Sequence, residues 1–350
     1  MVIKKKFWKN KKVLVTGNTG FKGAWLCLFL NLLGAKVYGI SLKRDFSKSL
    51  FKIFKLEKVI KTFFFDINDK KIVKLIQKIN PEILIHFAAQ SLVIKGYQSP
   101  FLTYNTNIIG TLNVLRGASI SNKLRCILIS TTDKVYSSVN IRKNKSYTET
   151  DRLGGNDPYS GSKAASEILI DSYYKSFLMK KKNLLVARAG NVIGGGDFSK
   201  NRLIPDFFKS LKKKKFFTLR NPNSTRPWQY VIDCIYIYLL MIQKTYVLKY
   251  YYDHFNIGPK YKKDITTLKL VKLFNKDLNL KIKAQVSKRK SFKESKYLKL
   301  NTTKFSNFIK TTALTNIHNM ILETKEWYIC FLYNKKNITK FSKKLIKKYI

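Results

Sequence analysis

The sequence contains few of the side chains that form disulfide frameworks and metal centres. Its 350 residues include four cysteines, which are far apart and form no C-x-x-C pair, and three histidines. Disulfide-rich folds and structural zinc sites need such residues at close, regular spacings. The sequence therefore predicts no disulfide framework, no zinc site and no histidine-based metal site.

Long apolar runs are also missing, since none approaches the ~20 residues that a membrane-spanning helix needs. The basic start, MVIKKKFWKN, leads directly into KKVLVTGNTG, a pattern typical of a strand and a glycine turn rather than of a signal peptide. A hydrophobic fraction of 45% is ample for a large core and argues against a disordered chain. We expect a cytoplasmic protein of two domains, on the basis of ~150 residues per domain.

Acidic residues are scarce, because 20 Asp and Glu stand against 69 Lys and Arg, for a formal net charge of +49. The basic excess runs from Lys4 to Lys348, whereas nucleic-acid binding needs the charge on one stripe or helix face. Two explanations stay open: a drift toward residues with AT-rich codons, and a surface that binds polyanions. A single lysine carries little information in such a chain. Each of the ten arginines carries more, because guanidinium groups bind anions through two parallel hydrogen bonds.

Segments with the pattern of buried strands alternate with segments of helical spacing. The predicted strands are Lys12–Thr16, Lys36–Ile40, Ile60–Phe65, Glu82–Phe87, Leu124–Ile129 and Leu184–Arg188. The predicted helices are Phe21–Leu33, Lys70–Ile79, Pro100–Ser119 and one that begins at Pro158. This alternation predicts an α/β fold with a doubly wound parallel sheet, as in Rossmann-like proteins.

Three glycines, Gly17, Gly20 and Gly23, lie between the first predicted strand and the first predicted helix. Glycines at such a turn let the backbone approach a pyrophosphate, which the free N–H groups and the positive dipole end of the helix attract. The strand–turn–helix context favours a dinucleotide site over a plain tight turn.

The absence of a Gly/Ser-rich or Pro-rich linker predicts two interleaved domains. We expect a dinucleotide-binding domain formed by residues 1–190 and roughly 230–260, and a smaller C-terminal substrate domain formed by 191–229 and 261–350. The lysine-rich tail, Asn334–Ile350, is predicted to be a solvated helix or a frayed end.

The G-x-x-G-x-x-G spacing after Val-Thr resembles that of the extended short-chain dehydrogenase/reductase superfamily, in the NAD-dependent epimerase/dehydratase family. In that family an acid in the place of Asp66 contacts the adenine ring, and residues in the place of Ala88-Ala89-Gln90 form a wall beside the cofactor ribose. The resemblance implies a nicotinamide dinucleotide held by Gly17, Thr19, Gly20, Phe21, Gly23, Asp66, Ile67, Ala88, Ala89, Gln90, Asn107, Tyr159 and Lys163.

NAD is the expected form of the cofactor. The basic pair Lys43-Arg44 lies where an acid that binds the ribose 2′-hydroxyl is sought, and this pair leaves NADP open.

Tyr159 and Lys163 form a Y-x-x-x-K motif between the fifth and sixth predicted strands. Their spacing places both side chains on one helix face. We expect the ammonium to lower the pKa of the phenol from about 10, so that the phenol can take a hydroxyl proton during hydride transfer. Thr132 follows the fifth predicted strand, where the superfamily has its third active-site group, and can hydrogen-bond the same hydroxyl.

Further segments resemble the CDP-glucose 4,6-dehydratases. These are TGNTGFKGAWL, AAQSLV, TTDKVY, DPYSGSK, RAGNVIGGGDF and NSTRPWQYV, with weaker similarity at FNIGP and YLKLN. The similarity runs from Phe7 to at least Trp228. Asn18 replaces the usual His in the turn, which puts the strength of cofactor binding in question, and Asn301 replaces an expected Asp.

This resemblance implies a lyase that forms a 4-keto-6-deoxy sugar nucleotide by transient oxidation at C4, loss of water across C5 and C6, and return of hydride to C6. The implied catalytic residues are Thr132, Asp133, Lys134, Tyr159 and Lys163. Asp133 would protonate the departing C6 hydroxyl. Lys134 stands where the TDP-sugar dehydratases have Glu, and it would act either as a base with a lowered pKa or as an electrostatic stabiliser of the enolate.

The resemblance also implies that Asn191, Arg202 and Arg226 bind the nucleotide-sugar substrate, and that the chain forms a homodimer through a contact that includes the Tyr159 helix. Two alternatives stay open. The first is another nucleotide-sugar epimerase or dehydratase of the same fold; a 4-epimerase would not need Asp133. The second is a non-catalytic polyanion-binding protein on this scaffold, with only nonspecific contact to nucleic acid.

Overall fold

The fold is seen in a computed structural model that describes residues 1–43, 49–137, 146–213, 216–219, 221–259, 265–276, 278, 281–284, 298–311 and 314–350. The strands are β1 Lys12–Thr16, β2 Lys36–Ser41, β3 Lys61–Phe64, β4 Ile83–His86, β5 Cys126–Ser130, β6 Asn183–Ala189, β7 Val192–Ile193, β8 Phe217–Leu219, β9 Gln229–Tyr230, β10 Tyr252–Ile257 and β11 Ile282–Ala284. The α-helices are α1 Lys5–Trp8, α2 Phe21–Leu32, α3 Leu50–Ile53, α4 Lys71–Ile79, α5 Val93–Gln98, α6 Pro100–Tyr104, α7 Gly110–Ser119, α8 Pro158–Tyr173, α9 Leu203–Lys212, α10 Val231–Thr245, α11 Thr267–Asn275, α12 Thr303–Ile309, α13 Ile317–Tyr333 and α14 Ile338–Lys347.

A parallel sheet of seven strands, in the order β10-β6-β5-β4-β1-β2-β3, organises the described part of the chain. β1 pairs with β2 on one side and with β4 on the other, so the direction of winding reverses beside β1. In open α/β sheets, ligands bind at the carboxyl ends of the strands next to such a reversal. The predicted α/β, Rossmann-like fold is confirmed.

Helices cover both faces of this sheet. Val13 and Val15 of β1 pack in the core with α2 and α10, whereas Leu14 packs in the opposite core with α4, α7 and α8. Successive side chains of a strand point to opposite faces, so a continuous apolar run such as KVLVT fits a strand buried on both sides.

The start of α8, the helix that carries the Y-x-x-x-K motif, is determined locally. Asp157 Oδ1 accepts hydrogen bonds from the backbone N–H groups of Tyr159 and Ser160, both at 3.0 Å. Pro158 is in the first turn, where it does not need to donate a hydrogen bond. This cap therefore sets the position along the helix from which the catalytic pair is counted.

The predicted helix Pro100–Ser119 is not continuous. It consists of α6 and α7 joined by a π-helical turn, Asn105–Ile109. Such turns occur often at functional sites, and this one contains the buried Asn107.

The prediction of a solvated or frayed tail is wrong. Ile338, Leu345 and Ile346 of α14 are buried, and α14 packs against α13 and α2. The lysines occupy the outer face of an amphipathic helix, so a high lysine content coexists with a docked apolar side.

Within the ranges given above, no helix is long and apolar enough to cross a bilayer, and no three His, Cys, Asp or Glu side chains are grouped as a metal site requires. Outside the main sheet, β7 pairs with β9 and β8 pairs with β11.

Replacing the cap of α8 should weaken the fold measurably. We expect Asp157→Ala to lower the free energy of unfolding by about 1 kcal/mol, because two backbone N–H groups lose their acceptor. Asp157→Asn is the matched control, since an amide oxygen can accept the same bonds. Urea unfolding of the three proteins measures the difference. An alanine variant as stable as the asparagine variant would show that the cap contributes nothing.

Candidate active site

The glycine turn between β1 and α2 packs too tightly for side chains. Gly17 has a φ of +73°, and a Cβ there would lie 2.8 Å from the backbone nitrogen of Ala88. A Cβ on Gly23 would lie 2.1 Å from the carbonyl oxygen of Gly17. A Cβ on Gly20 would meet only the Gly17 oxygen, and no side chain caps α2 at this end. An uncapped helix N-terminus behind a turn without side chains fits the pyrophosphate of a dinucleotide.

Asn18 is directed into the protein. Its side chain is fully buried against Gly39 of β2, where an added Cβ would lie 2.2 Å from Asn18 Nδ2. Nδ2 donates a hydrogen bond to Thr62 Oγ1 at 2.9 Å, while Oδ1 makes no hydrogen bond within the described ranges. The residue thus ties the turn to β2 and β3.

The loop after β4 is linked to the π-helical turn and to α8. Asn107 Oδ1 accepts from the backbone N–H of Gln90 at 2.9 Å, and Asn107 Nδ2 donates to the Gln90 carbonyl and to Ser162 Oγ. This matches the sequence-based view that Asn107 holds the helix beside the cofactor site rather than touching substrate. Ala88 and Ala89 are half-buried in the same loop.

The proposed adenine end is more open. Asp66 is exposed, and its Oδ1 accepts a hydrogen bond from the backbone N–H of Asn68 at 2.9 Å. The Ile67 side chain is buried against Gly110, so only its backbone can reach a cofactor. Thr19 Oγ1 lies 2.6 Å from Ser41 Oγ at the end of β2.

The residues proposed to discriminate NAD from NADP are only partly described. Lys43 is exposed, and Arg44 lies outside the described residues.

Thr132, Asp133 and Tyr159 form one hydrogen-bonded cluster after β5. Thr132 Oγ1 donates to Asp133 Oδ1 at 3.1 Å and also shares a hydrogen bond with the Tyr159 hydroxyl. Asp133 is 1% exposed, and its Oδ2 has no hydrogen-bond partner among the described residues. Lys134 Nζ lies 3.7 Å from Asp133 Oδ1 and is partly open to solvent. The fold thus gathers a phenol, a hydroxyl and a carboxyl group, with an ammonium beside them.

The phenol does not titrate as expected. Burial raises the pKa of Tyr159 to about 12, although the bond with Thr132 and the charge of Arg202 act in the opposite direction. The prediction that the phenol has a pKa below 10 is therefore wrong for this structure. The cause is that removing water from a phenolate outweighs the nearby positive charge. Burial also lowers the pKa of Lys163 to about 8, with Lys22 lowering it further and Glu167 raising it.

Lys22, in the F-K-G segment, is a site residue that the sequence reasoning did not single out by number. Its Nζ donates to Ser130 Oγ at 2.8 Å, at the end of β5, and lies 5.1 Å from the centre of the Phe87 ring. Burial lowers the pKa of Lys22 as well. The signal was present in the specific F-K-G pattern, but lysine is so common in this chain that it attracted little weight.

Glu167 was also missed. It is 1% exposed on α8, and it binds Arg188 of β6 and Thr131 next to the catalytic cluster. Its signal was the spacing of Tyr159, Lys163 and Glu167 by four residues, in a chain with few acids.

The three residues assigned to substrate lie in different surroundings. Arg202 is half-buried, with Nη1 donating to Asp197 Oδ2 at 3.1 Å and Nη2 donating to Ser91 Oγ at 3.4 Å, and its charge acts on Tyr159. Arg226 is 7% exposed and donates to the Thr225 carbonyl. Asn191 is half-buried, and its carbonyl accepts from the backbone N–H of Gln229. The structure therefore brings Arg202 to the catalytic cluster, whereas its contacts do not link Asn191 or Arg226 to it.

Comparison with known proteins gives a consistent result. Residues 14–315 match the GDP-mannose 4,6-dehydratase family. Over 316 residues, 87% of this chain and 86% of the relative, the sequence is 36% identical to the CDP-glucose 4,6-dehydratase of Salmonella typhimurium.

Solved structures share the fold. The UDP-glucose 4-epimerase of Thermotoga maritima, solved with UDP-glucose, superposes with a TM-score of 0.78 at 20% identity over 91% of this chain and 99% of the other. The dTDP-glucose 4,6-dehydratase of Bacillus anthracis, in complex with NAD, superposes with a TM-score of 0.77 at 21% identity over 95% and 99% of the two chains.

The buried ammonium of Lys163 should cost stability in the cofactor-free protein. Its pKa is lowered from 10.5 to about 8, so between these values the folded protein binds fewer protons than the unfolded chain. The free energy of unfolding therefore rises with pH in that window, and below it the buried charge is fully destabilising.

We expect Lys163→Met to be more stable than the wild type at neutral pH, on the order of 2 kcal/mol, and to lose most of this rise. Urea unfolding across the window measures both effects. Lys175→Met is the control, because that side chain is 64% exposed on the same helical segment. A less stable Lys163→Met protein with an unchanged pH dependence would contradict this account.

Proposed function

Because the chain belongs to the GDP-mannose 4,6-dehydratase family and is a nucleotide-sugar 4,6-dehydratase, we propose that its substrate is CDP-glucose and its products are CDP-4-keto-6-deoxyglucose and water. The observation that carries this proposal is the free, buried Oδ2 of Asp133, one residue from a threonine that binds the Tyr159 hydroxyl. The 36% identity to the Salmonella CDP-glucose enzyme supports the choice of substrate. The alternatives of a 4-epimerase and of a polyanion-binding protein are not favoured.

The proposed cofactor is NAD, held by the glycine turn, the loop Ala88–Gln90 and Asp66. The similar dehydratase from Bacillus anthracis was solved with NAD, which supports this form over NADP. When bound, a nicotinamide supplies a hydride acceptor for C4 and a hydride donor for C6.

The residues of the cluster have separate tasks in the proposed reaction. Tyr159 receives the proton of the sugar 4-hydroxyl, while Thr132 orients that hydroxyl, and the charges of Lys163 and Arg202 favour the phenolate. Oxidation at C4 acidifies the C5 proton. Once C5 loses this proton, the C6–O bond breaks, and Asp133 donates its proton to the departing hydroxyl to complete water.

Lys134 is proposed to assist the loss of the C5 proton. Its Nζ is partly exposed and 3.7 Å from Asp133 Oδ1, so in this structure it is an ammonium beside a carboxyl group. That environment favours electrostatic stabilisation of the enolate over the role of a base.

The proposed substrate contacts are Asn191, Arg202 and Arg226, with the arginines binding the diphosphate. They belong to the proposed division of the chain, in which residues 1–190 and roughly 230–260 bind the dinucleotide and 191–229 and 261–350 bind the sugar nucleotide. Sugar nucleotides are made in the cytoplasm, which supports that location for the enzyme.

A homodimer is proposed through the outer face of α6 and α8 and of the π-helical turns that follow them. Large apolar side chains are exposed there, namely Phe101, Ile109, Ile168, Phe177 and Met179. Several such residues on adjacent helices favour a protein interface over a solvated surface.

Incubation with CDP-glucose and NAD in deuterated water tests the proposed function. We expect loss of one water, solvent deuterium at C5 and transfer of the original C4 hydrogen to C6. A 4-epimerase would leave the mass unchanged. Lys134→Met should retain oxidation at C4 but slow the loss of water at least tenfold, because the enolate loses its neighbouring charge. Equal loss of both steps in this variant would contradict the assigned role of Lys134.

Light scattering of the purified protein tests the dimer. We expect a dimer for the wild type and a monomer for Ile168→Lys, since a charge in the centre of an apolar interface is costly to bury. Val247→Lys is the control, because Val247 is 75% exposed at the far end of α10. A monomeric wild type, or a dimeric Ile168→Lys, would refute the proposed interface.

A further inference from the structure

We infer that Glu167 and Arg188 are positioning residues, whose buried ion pair holds both ends of the segment Thr131–Tyr136 in place against α8. The catalytic residues Thr132, Asp133 and Lys134 lie within this segment. The inference rests on the proposed function, because it concerns the alignment of the groups that remove water.

The ion pair lies behind the catalytic cluster and is almost completely buried, with Glu167 at 1% and Arg188 at 3% exposure. Arg188 Nε donates to Glu167 Oε2 at 2.8 Å, and Arg188 Nη2 donates to the same oxygen at 2.5 Å. This two-pronged contact joins β6 to α8 with a defined geometry.

The start of the segment is held by the acid. Thr131 Oγ1 donates a hydrogen bond of 2.6 Å to Glu167 Oε1, the carboxylate oxygen that Arg188 Nε approaches at 3.1 Å. Thr131 is 6% exposed, so water does not compete effectively for this bond.

The end of the segment is held by the base. Arg188 Nη1 donates to the Tyr136 hydroxyl at 2.9 Å, and this hydroxyl donates in turn to Asn256 Oδ1 on β10. The guanidinium also lies 5.0 Å from the centre of the Tyr136 ring, which stacks on Tyr147. Both ends of the six-residue segment are therefore anchored to one ion pair.

The position of Glu167 explains why this anchoring matters for chemistry. It lies one turn after Lys163 and two turns after Tyr159 on α8. The pair thus sets where Asp133 lies relative to the phenol, although neither member of the pair belongs to the cluster itself. A small misplacement of an acid relative to its reacting atom can cost about a hundredfold in rate. Stability alone is a weak reason for such a pair, because well-packed apolar residues can replace buried ion pairs without loss.

Two mild variants separate positioning from folding, since each removes one hydroxyl at an anchor and leaves the ion pair intact. These are Thr131→Val and Tyr136→Phe. Their matched controls are Thr245→Val, whose buried hydroxyl has no partner within the described ranges, and Tyr174→Phe, a buried and stacked tyrosine that donates to the Tyr250 carbonyl.

For both anchor variants we expect turnover to fall about tenfold, with the KM for CDP-glucose within about twofold of the wild type. The loss should fall on elimination rather than on oxidation. The fraction of enzyme whose nicotinamide is reduced during turnover, read by absorbance, should therefore rise. In the cofactor-free protein, amide hydrogen exchange of the peptide that covers residues 131–136 should be faster than in the wild type. The controls should match the wild type in all three measurements.

A wild type without turnover would contradict the proposed function. If the wild type turns over but the anchor variants keep its ratio of reduced enzyme and its exchange rates, the positioning role is refuted while the proposed function stands. Equal slowing of oxidation and elimination would likewise refute it. Glu167→Gln should show the same selective loss if it folds, because an amide cannot hold Arg188 with the same strength.

Discussion

The burial of one face of α8 is the constraint on which the site depends. Tyr159, Lys163 and Glu167 follow each other at intervals of four residues, and all three are less than one tenth exposed. Placing a phenol, an ammonium and a carboxylate against the sheet removes water from each of them. Only the carboxylate is compensated by a close two-pronged partner, Arg188. The remaining groups therefore lie in an environment that opposes their charged forms.

This environment has two opposite consequences. It makes the cofactor-free site costly to hold, because Lys163 keeps its proton poorly and Tyr159 releases its proton poorly. The same exclusion of water strengthens every electrostatic contact that a substrate would make there. The ion pair behind the cluster reconciles the two, because it fixes the segment around Asp133 through neutral hydroxyl groups and adds no further charge to the cavity side.

Much of the fold was predictable because its strands are short, continuous apolar runs separated by helices with marked periodicity. KVLVT and CILIS are buried on both faces, and such runs leave little choice of structure. The π-helical turn at Asn107 and the docking of α14 were not predictable. The turn depends on contacts with Gln90 and Ser162, distant in sequence, and the docking of α14 depends on apolar residues spaced among lysines that dominate the composition.

The sequence by itself determined the doubly wound sheet, the glycine turn and the pairing of Tyr159 with Lys163, because these follow from local periodicity and from spacing along one helix. Only the tertiary structure decided the ionisation of that pair, the inward direction of Asn18 and the link from Glu167 and Arg188 to the catalytic segment. The reason is physical: desolvation and long-range hydrogen bonds depend on which elements surround a group, and residues as far apart as Thr131, Glu167 and Arg188 meet only when β5, α8 and β6 pack together.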